Sequence, residues 1–232
     1  MKPQLLLPLI ALCAACHNAD DSYEIDIHCT DCGGANVSMW QCQGKNLNIA
    51  GATVFEHGHA VFKGKVDQPQ LMYIFVEDAI DYLPVFVENS DIDIDYVFAR
   101  PSRSVVTGSV CHKKFSDFLQ SYSAYSDKGT GIDKMIENAE ENSDTLMLQR
   151  LTENIRVLER EKVDFQRQYV VQNINSPVSA YILSTDLMYK LACSELDSVT
   201  ALFPDEIKGS IYLKQVAEYR AKMPNDTAAQ NN

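Results

Sequence analysis

Along residues 91–97 acidic and apolar side chains alternate: Asp91, Asp93 and Asp95 fall on one side of an extended chain, Ile92, Ile94 and Tyr96 on the other. A period of two sends successive side chains to opposite faces, so the segment predicts a β-strand with its isoleucines in a core and its aspartates in water. The same texture, rich in β-branched and aromatic residues and broken by Gly, Asn, Asp and Pro, recurs over residues 23–28, 35–42, 47–56, 59–66, 71–77, 82–88 and 104–110. About eight short strands with no helices between them predict consecutive antiparallel strands folded as a sandwich or open barrel over residues 23–110. His57-Gly58 supplies a hairpin apex, because glycine tolerates positive φ.

Beyond Cys111 the period changes. Apolar residues recur every three or four positions and Gly and Pro thin out, so residues 111–223 predict an all-helical region and the whole chain an α+β fold. The strongest helix runs over 145–172, where Leu148, Leu151, Ile155, Leu158, Phe165 and Tyr169 keep a three-four spacing behind the cap Ser143-Asp144. Such a helix packs along the β-domain or against another helix, and is the candidate contact for a homo-oligomer. Ser176-Pro177 starts a helix through Leu191, Ser194-Glu195-Leu196-Asp197 resembles a capping box for the next, and 210–222 forms the last, stopped by Pro224. Residues 225–232 hold no apolar residue except alanine, and 224–232 predict a disordered tail.

The N-terminus has a different character. Met1-Lys2 gives a short positive start, residues 5–12 an apolar stretch, and Ala14-Ala15 two small residues before Cys16, the order of an export signal. The apolar run is too short for a bilayer-spanning helix, which takes about 20 residues. With Cys16 at the cleavage point the segment resembles a bacterial lipoprotein lipobox, which implies removal of residues 1–15 and a lipid anchor on Cys16. The match departs from the usual pattern in having Cys13 where leucine is common. Residues 16–22 then read as a tether, and Asn18-Ala19-Asp20-Asp21 resembles the acidic export signal of Bacteroidetes-type lipoproteins. The resulting expectation is an outer-membrane lipoprotein, periplasmic or surface-exposed. Charge agrees with the absence of one partner class: 20 Lys+Arg against 32 Asp+Glu leaves a net charge of -12, which repels a phosphate backbone and argues against nucleic acid.

Three β-segments carry a further resemblance. His59-Ala60-Val61-Phe62-Lys63-Gly64-Lys65-Val66, Pro84-Val85-Phe86-Val87-Glu88-Asn89 and Val106-Thr107-Gly108-Ser109 are similar to strands of the domain of unknown function numbered forty-three sixty-nine. The succession of lipobox, tether, β-domain and a helix start at Asn173-Ile174-Asn175-Ser176-Pro177 is similar too. The resemblance implies a domain that usually precedes a thioredoxin-like domain of the peroxiredoxin type, and the sequence ends where that domain would begin. It implies no catalytic residue.

Chemistry-bearing motifs are few. Cys29-Thr30-Asp31-Cys32 has redox spacing but sits in a predicted hairpin loop without the helix N-terminus that lowers a thiol pKa, so a structural disulfide or a pair of free thiols competes with a redox role. His28, Cys42, Cys111 and His112 offer zinc donors without a companion pair, and His57-Gly58-His59 reads as a solvated turn, so no metal or cofactor is predicted. Asp91, Asp93 and Asp95 lie along a flat strand face rather than in the curved loop calcium takes. Trp40, Tyr122 and Tyr125 offer a sugar or peptide platform, but aromatic residues on strands and amphipathic helices are more often core. Serine-hydrolase, phosphate-loop and zincin motifs do not occur. The sequence therefore favours a non-catalytic envelope lipoprotein that binds a protein or glycan. The alternative is an accessory in thiol-disulfide exchange, using Cys29 and Cys32 or a separate thioredoxin-like partner.

Overall fold

The computed structural model describes residues 21–43 and 46–223. The signal segment 1–15, the anchor Cys16, most of the tether and the tail 224–232 lie outside them. Among the described residues no helix is long and apolar enough to cross a membrane.

The β-domain holds the eight strands predicted: β1 (Tyr23–His28), β2 (Asn36–Gln43), β3 (Asn46–Val54), β4 (His59–Gly64), β5 (Gln70–Val76), β6 (Leu83–Val87), β7 (Asp91–Asp95) and β8 (Val105–Thr107). They form two four-stranded sheets, ordered β4-β1-β7-β8 (sheet A) and β3-β2-β5-β6 (sheet B), with no closed barrel. Sheet B is antiparallel throughout, but in sheet A β1 runs parallel to β7, against the expectation of antiparallel neighbours. The parallel register sets Ile25 beside Ile92 and Ile27 beside Ile94, so two alternating patterns join into one apolar face. The His57-Gly58 turn forms as predicted, with positive φ at both residues, yet its flanking strands go to different sheets. Only the Glu56–His59 bridge closes it, because β4 pairs with β1.

Ile25, Ile27, Ile92, Ile94 and Phe62 from sheet A meet Met39, Ile74, Val85 and Val87 from sheet B in the first core. A second core lies on the far side of sheet B, where Leu71 and Phe86 point away from the sandwich. Covering it are the helices α1 (Val110–Glu141), α2 (Thr145–Gln172), α3 (Pro177–Thr185), α4 (Cys193–Leu202), α5 (Asp205–Lys208) and α6 (Ile211–Arg220). Phe86, fully buried, meets the rings of Phe115, Tyr181 and Tyr212 at centroid distances of 5.7, 5.8 and 6.2 Å. The Tyr212 hydroxyl accepts the Leu71 N–H at 2.8 Å. Sheet A, sheet B and helices thus stack as three layers.

Helix α2 has the predicted bounds and pairs with α1, a helix the sequence did not delimit, which passes through Gly129 and Gly131 unbroken. The helix from Pro177 ends at Thr185, short of the expected Leu191, and a 3-10 turn follows at Leu187–Tyr189. Helix α4 begins earlier than the Ser194 start: the Glu195 carboxylate accepts the Ala192 N–H at 3.1 Å, closing the first turn from its third residue.

Candidate functional site

The helical layer covers only part of sheet B. Across the outer face, strand register places Trp40 opposite Tyr73 and Ser38 opposite Phe75 on β2 and β5, and Ile49 opposite Trp40 and Leu47 opposite Cys42 on β3 and β2. Directly opposed residues share a face. Trp40 meets Phe75 edge-on at 6.1 Å, and Tyr82 closes on both Tyr73 and Phe75 at 5.2 and 5.3 Å. The Trp40 indole N–H is held by the Ser38 hydroxyl at 2.8 Å, which fixes the ring. Ile49 is 58% exposed, Leu47 and Tyr82 are also exposed, and the neighbouring loop leaves Ile80 almost wholly in solvent. Among the described residues strand β3 is also an edge of sheet B, with β2 as its only neighbour in the sheet. A clustered apolar face beside an open strand edge is uncommon on a monomer and is the usual mark of a protein contact. Of the aromatic residues singled out in the sequence, Trp40 belongs here, whereas Tyr122 and Tyr125 pack on Phe118 and Phe165 between α1 and α2.

Cys29 and Cys32 form a disulfide in the loop after β1, with Cα atoms 5.4 Å apart. Both are buried in the sandwich core, at 3% and 1% exposure. The loop has no helix N-terminus, and the Cys29 N–H donates to the Gly58 carbonyl at 2.8 Å. An attacking thiolate needs an unobstructed path to one sulfur, which burial denies.

The remaining predicted donors are scattered. Cys42 is exposed on β2, and Cys193 is buried with its sulfur 4.0 Å from that of Met223. Cys111 and His112 sit at the start of α1, against β6. There Ser109 caps the helix, its hydroxyl accepting the His112 N–H and donating to the Phe86 carbonyl, each at 2.9 Å. The Glu88 carboxylate accepts the Cys111 N–H at 2.9 Å, a negative charge placed where a helix N-terminus favours it. Burial, reinforced by Glu88, pushes the Cys111 thiol up to about 12, so it stays protonated and unreactive. Burial pushes His112 down to about 4, so its ring is neutral, and Nδ1 accepts the Phe86 N–H at 3.3 Å.

One grouping escapes the sequence. On the outer face of sheet A, His28 on β1 lies directly opposite His59 on β4, with Asp26 two residues before His28. The signal is the pairing of two distant strands. Asp93 and Asp95 on β7 flank Asp26 and His28 from the other side, in the flat exposed row predicted for them.

A comparison with curated proteins finds no match for the chain. Residues 23–115 match a family model described only as a domain of unknown function (DUF4369). The matched segment runs from the first residue of β1 to Phe115, the α1 ring packed against Phe86. What this chain shares with the DUF4369 family model is therefore its two-sheet domain together with the first turns of α1.

Proposed function

We propose that the protein is a cell-envelope lipoprotein, anchored at the outer membrane through Cys16, whose β-domain is a non-catalytic module that docks a partner protein. The observation that carries this reading is the uncovered face of Trp40, Ile49, Leu47, Phe75 and Tyr82 beside the free edge of β3. An extended segment of a partner laid along β3 would gain main-chain hydrogen bonds from the edge and apolar burial from that face. A protein fits better than a glycan, because the face pairs its aromatic rings with aliphatic Ile49 and Leu47 rather than with amides and carboxylates that bind hydroxyl groups.

The test is a photo-crosslinking residue at position 82 of the full chain in intact cells. A discrete protein adduct that disappears with Ile49→Asp on the same face, and persists with Val105→Asp on sheet A, is the expected result. An adduct indifferent to Ile49→Asp, or one removed by glycosidase, overturns the reading. Labelling with a clickable fatty acid, lost in Cys16→Ala, checks the anchor. A role in thiol-disulfide exchange through Cys29 and Cys32 draws less support, since it needs access to a disulfide between two buried residues.

A further inference from the structure

Asp26, His28 and His59 each bring one donor atom within 4.8 Å of the other two. His28 Nε2 stands 3.6 Å from Asp26 Oδ2, and His59 Nδ1 stands 3.7 Å from Asp26 Oδ1. The two imidazoles meet edge to face with centroids 4.4 Å apart. Neither approach is a hydrogen bond, which would bring nitrogen to about 2.7–3.2 Å from oxygen. Asp26 Oδ1 is nevertheless shielded from solvent and has no hydrogen-bond partner. A carboxylate oxygen out of water and without a donor is costly, and its position asks for a cation.

The rest of the face sharpens the point. One row along the same strands, Glu24 lies opposite Lys63 and is neutralised by it at 2.7 Å. Asp26 has Val61 opposite and, on the other side, Asp93. Asp95 lies beside His28. Neighbouring negative charge makes the spot attractive to a cation. Two ligands each about 2.0–2.1 Å from a tetrahedral zinc stand about 3.3 Å apart, within about 0.4 Å of the gaps from His28 Nε2 to Oδ2 and from His59 Nδ1 to Oδ1, each imidazole standing beside its own oxygen of the shared carboxylate. Both strands are held locally, by the β1–β4 ladder and by the Cys29 to Gly58 hydrogen bond beside the buried disulfide.

We propose that Asp26, His28 and His59 form a binding site for a divalent transition metal of the zinc type. Two imidazoles and one carboxylate suit such borderline ions, whereas calcium and magnesium take oxygen ligands and copper(I) takes sulfur. Side-chain exposures of 35%, 40% and 55% for Asp26, His28 and His59 leave the ion's remaining positions open to water or to a ligand on a partner. The site is independent of the sheet B face, which lies on the opposite side of the sandwich.

The experiment is calorimetric titration of the metal-free full chain, kept in detergent, with zinc chloride. The expected result is one equivalent bound, with affinity falling about ten-fold or more in each of Asp26→Asn, His28→Ala and His59→Ala. His57→Ala and Cys42→Ser, which alter an exposed imidazole in the adjoining turn and an exposed thiol on β2, leave it unchanged. Histidine ring NMR signals of the unmodified chain give a second readout that needs no variant of the three ligands: two of the five rings respond to the first equivalent, and the signals lost in His57→Ala do not. No stoichiometric binding, binding lost in His57→Ala or Cys42→Ser, or a first equivalent that moves the His57 signals overturns the proposal.

Discussion

Acidification should loosen the joint between the β-domain and the helices through one side chain. Folded His112 is pushed down to about 4 from an ordinary 6.5, because a charge on the buried ring is poorly solvated. In the unfolded chain the same ring titrates normally, so between those two values the unfolded state binds a proton that the folded state does not. Stability is therefore complete above the ordinary value and drains away as the pH falls towards the folded one. The full interval corresponds to about 3 kcal/mol, of which about 2 kcal/mol is lost by a pH of about 5. His112→Asn keeps an acceptor near the Phe86 N–H and cannot titrate. Urea unfolding followed by far-UV circular dichroism, at neutral pH and again at about 5, should show the natural chain losing about 2 kcal/mol more than His112→Asn. Parallel losses in the two proteins would refute the assignment of this sensitivity to His112.

Gly108→Ala should cost at least about 2 kcal/mol, measured by urea unfolding, because φ there is +85° and a Cβ would run into the Asp91 carbonyl between β7 and β8. Gly131→Ala, in the middle of α1 with nothing within 4 Å of the added carbon, should raise stability by about 0.5–1 kcal/mol, visible as a higher melting temperature. Replacing Cys29 and Cys32 together by serine reopens a short loop, with a sequence separation of 3. The expected loss is about 2 kcal/mol from chain entropy, read from the urea midpoint.

How far the sequence could be read depended on the range of the interaction involved. Asp91 to Asp95 declares its two faces by itself, and Leu151, Leu158 and their neighbours declare α2, because each pattern is complete within one element. Helix α1 was not delimited: Gly129, Gly131 and a run of exposed serines blur its period, and what sustains it is the pairing with α2. The layering of helices on sheet B rests on Phe86 and Leu71, which in the sequence are two more apolar residues in apolar strands. Strand pairing was the least legible. Nothing local to His28 or His59 says that they face one another, nor that Ile25 lies beside Ile92 rather than beside a residue of the next strand along. The uncovered face of sheet B was hidden for the same reason, since Trp40, Ile49 and Tyr82 become neighbours only through register and ring contacts.

Because β1 lies between β4 and β7, the first strand of the domain is an inner one, bonded along both sides. Tension transmitted from the N-terminal side acts along that strand and must slide it against both neighbours together, loading two rows of hydrogen bonds at once instead of peeling one row bond by bond. A pull on the chain from its N-terminal side therefore loads β1 in shear along both of its edges.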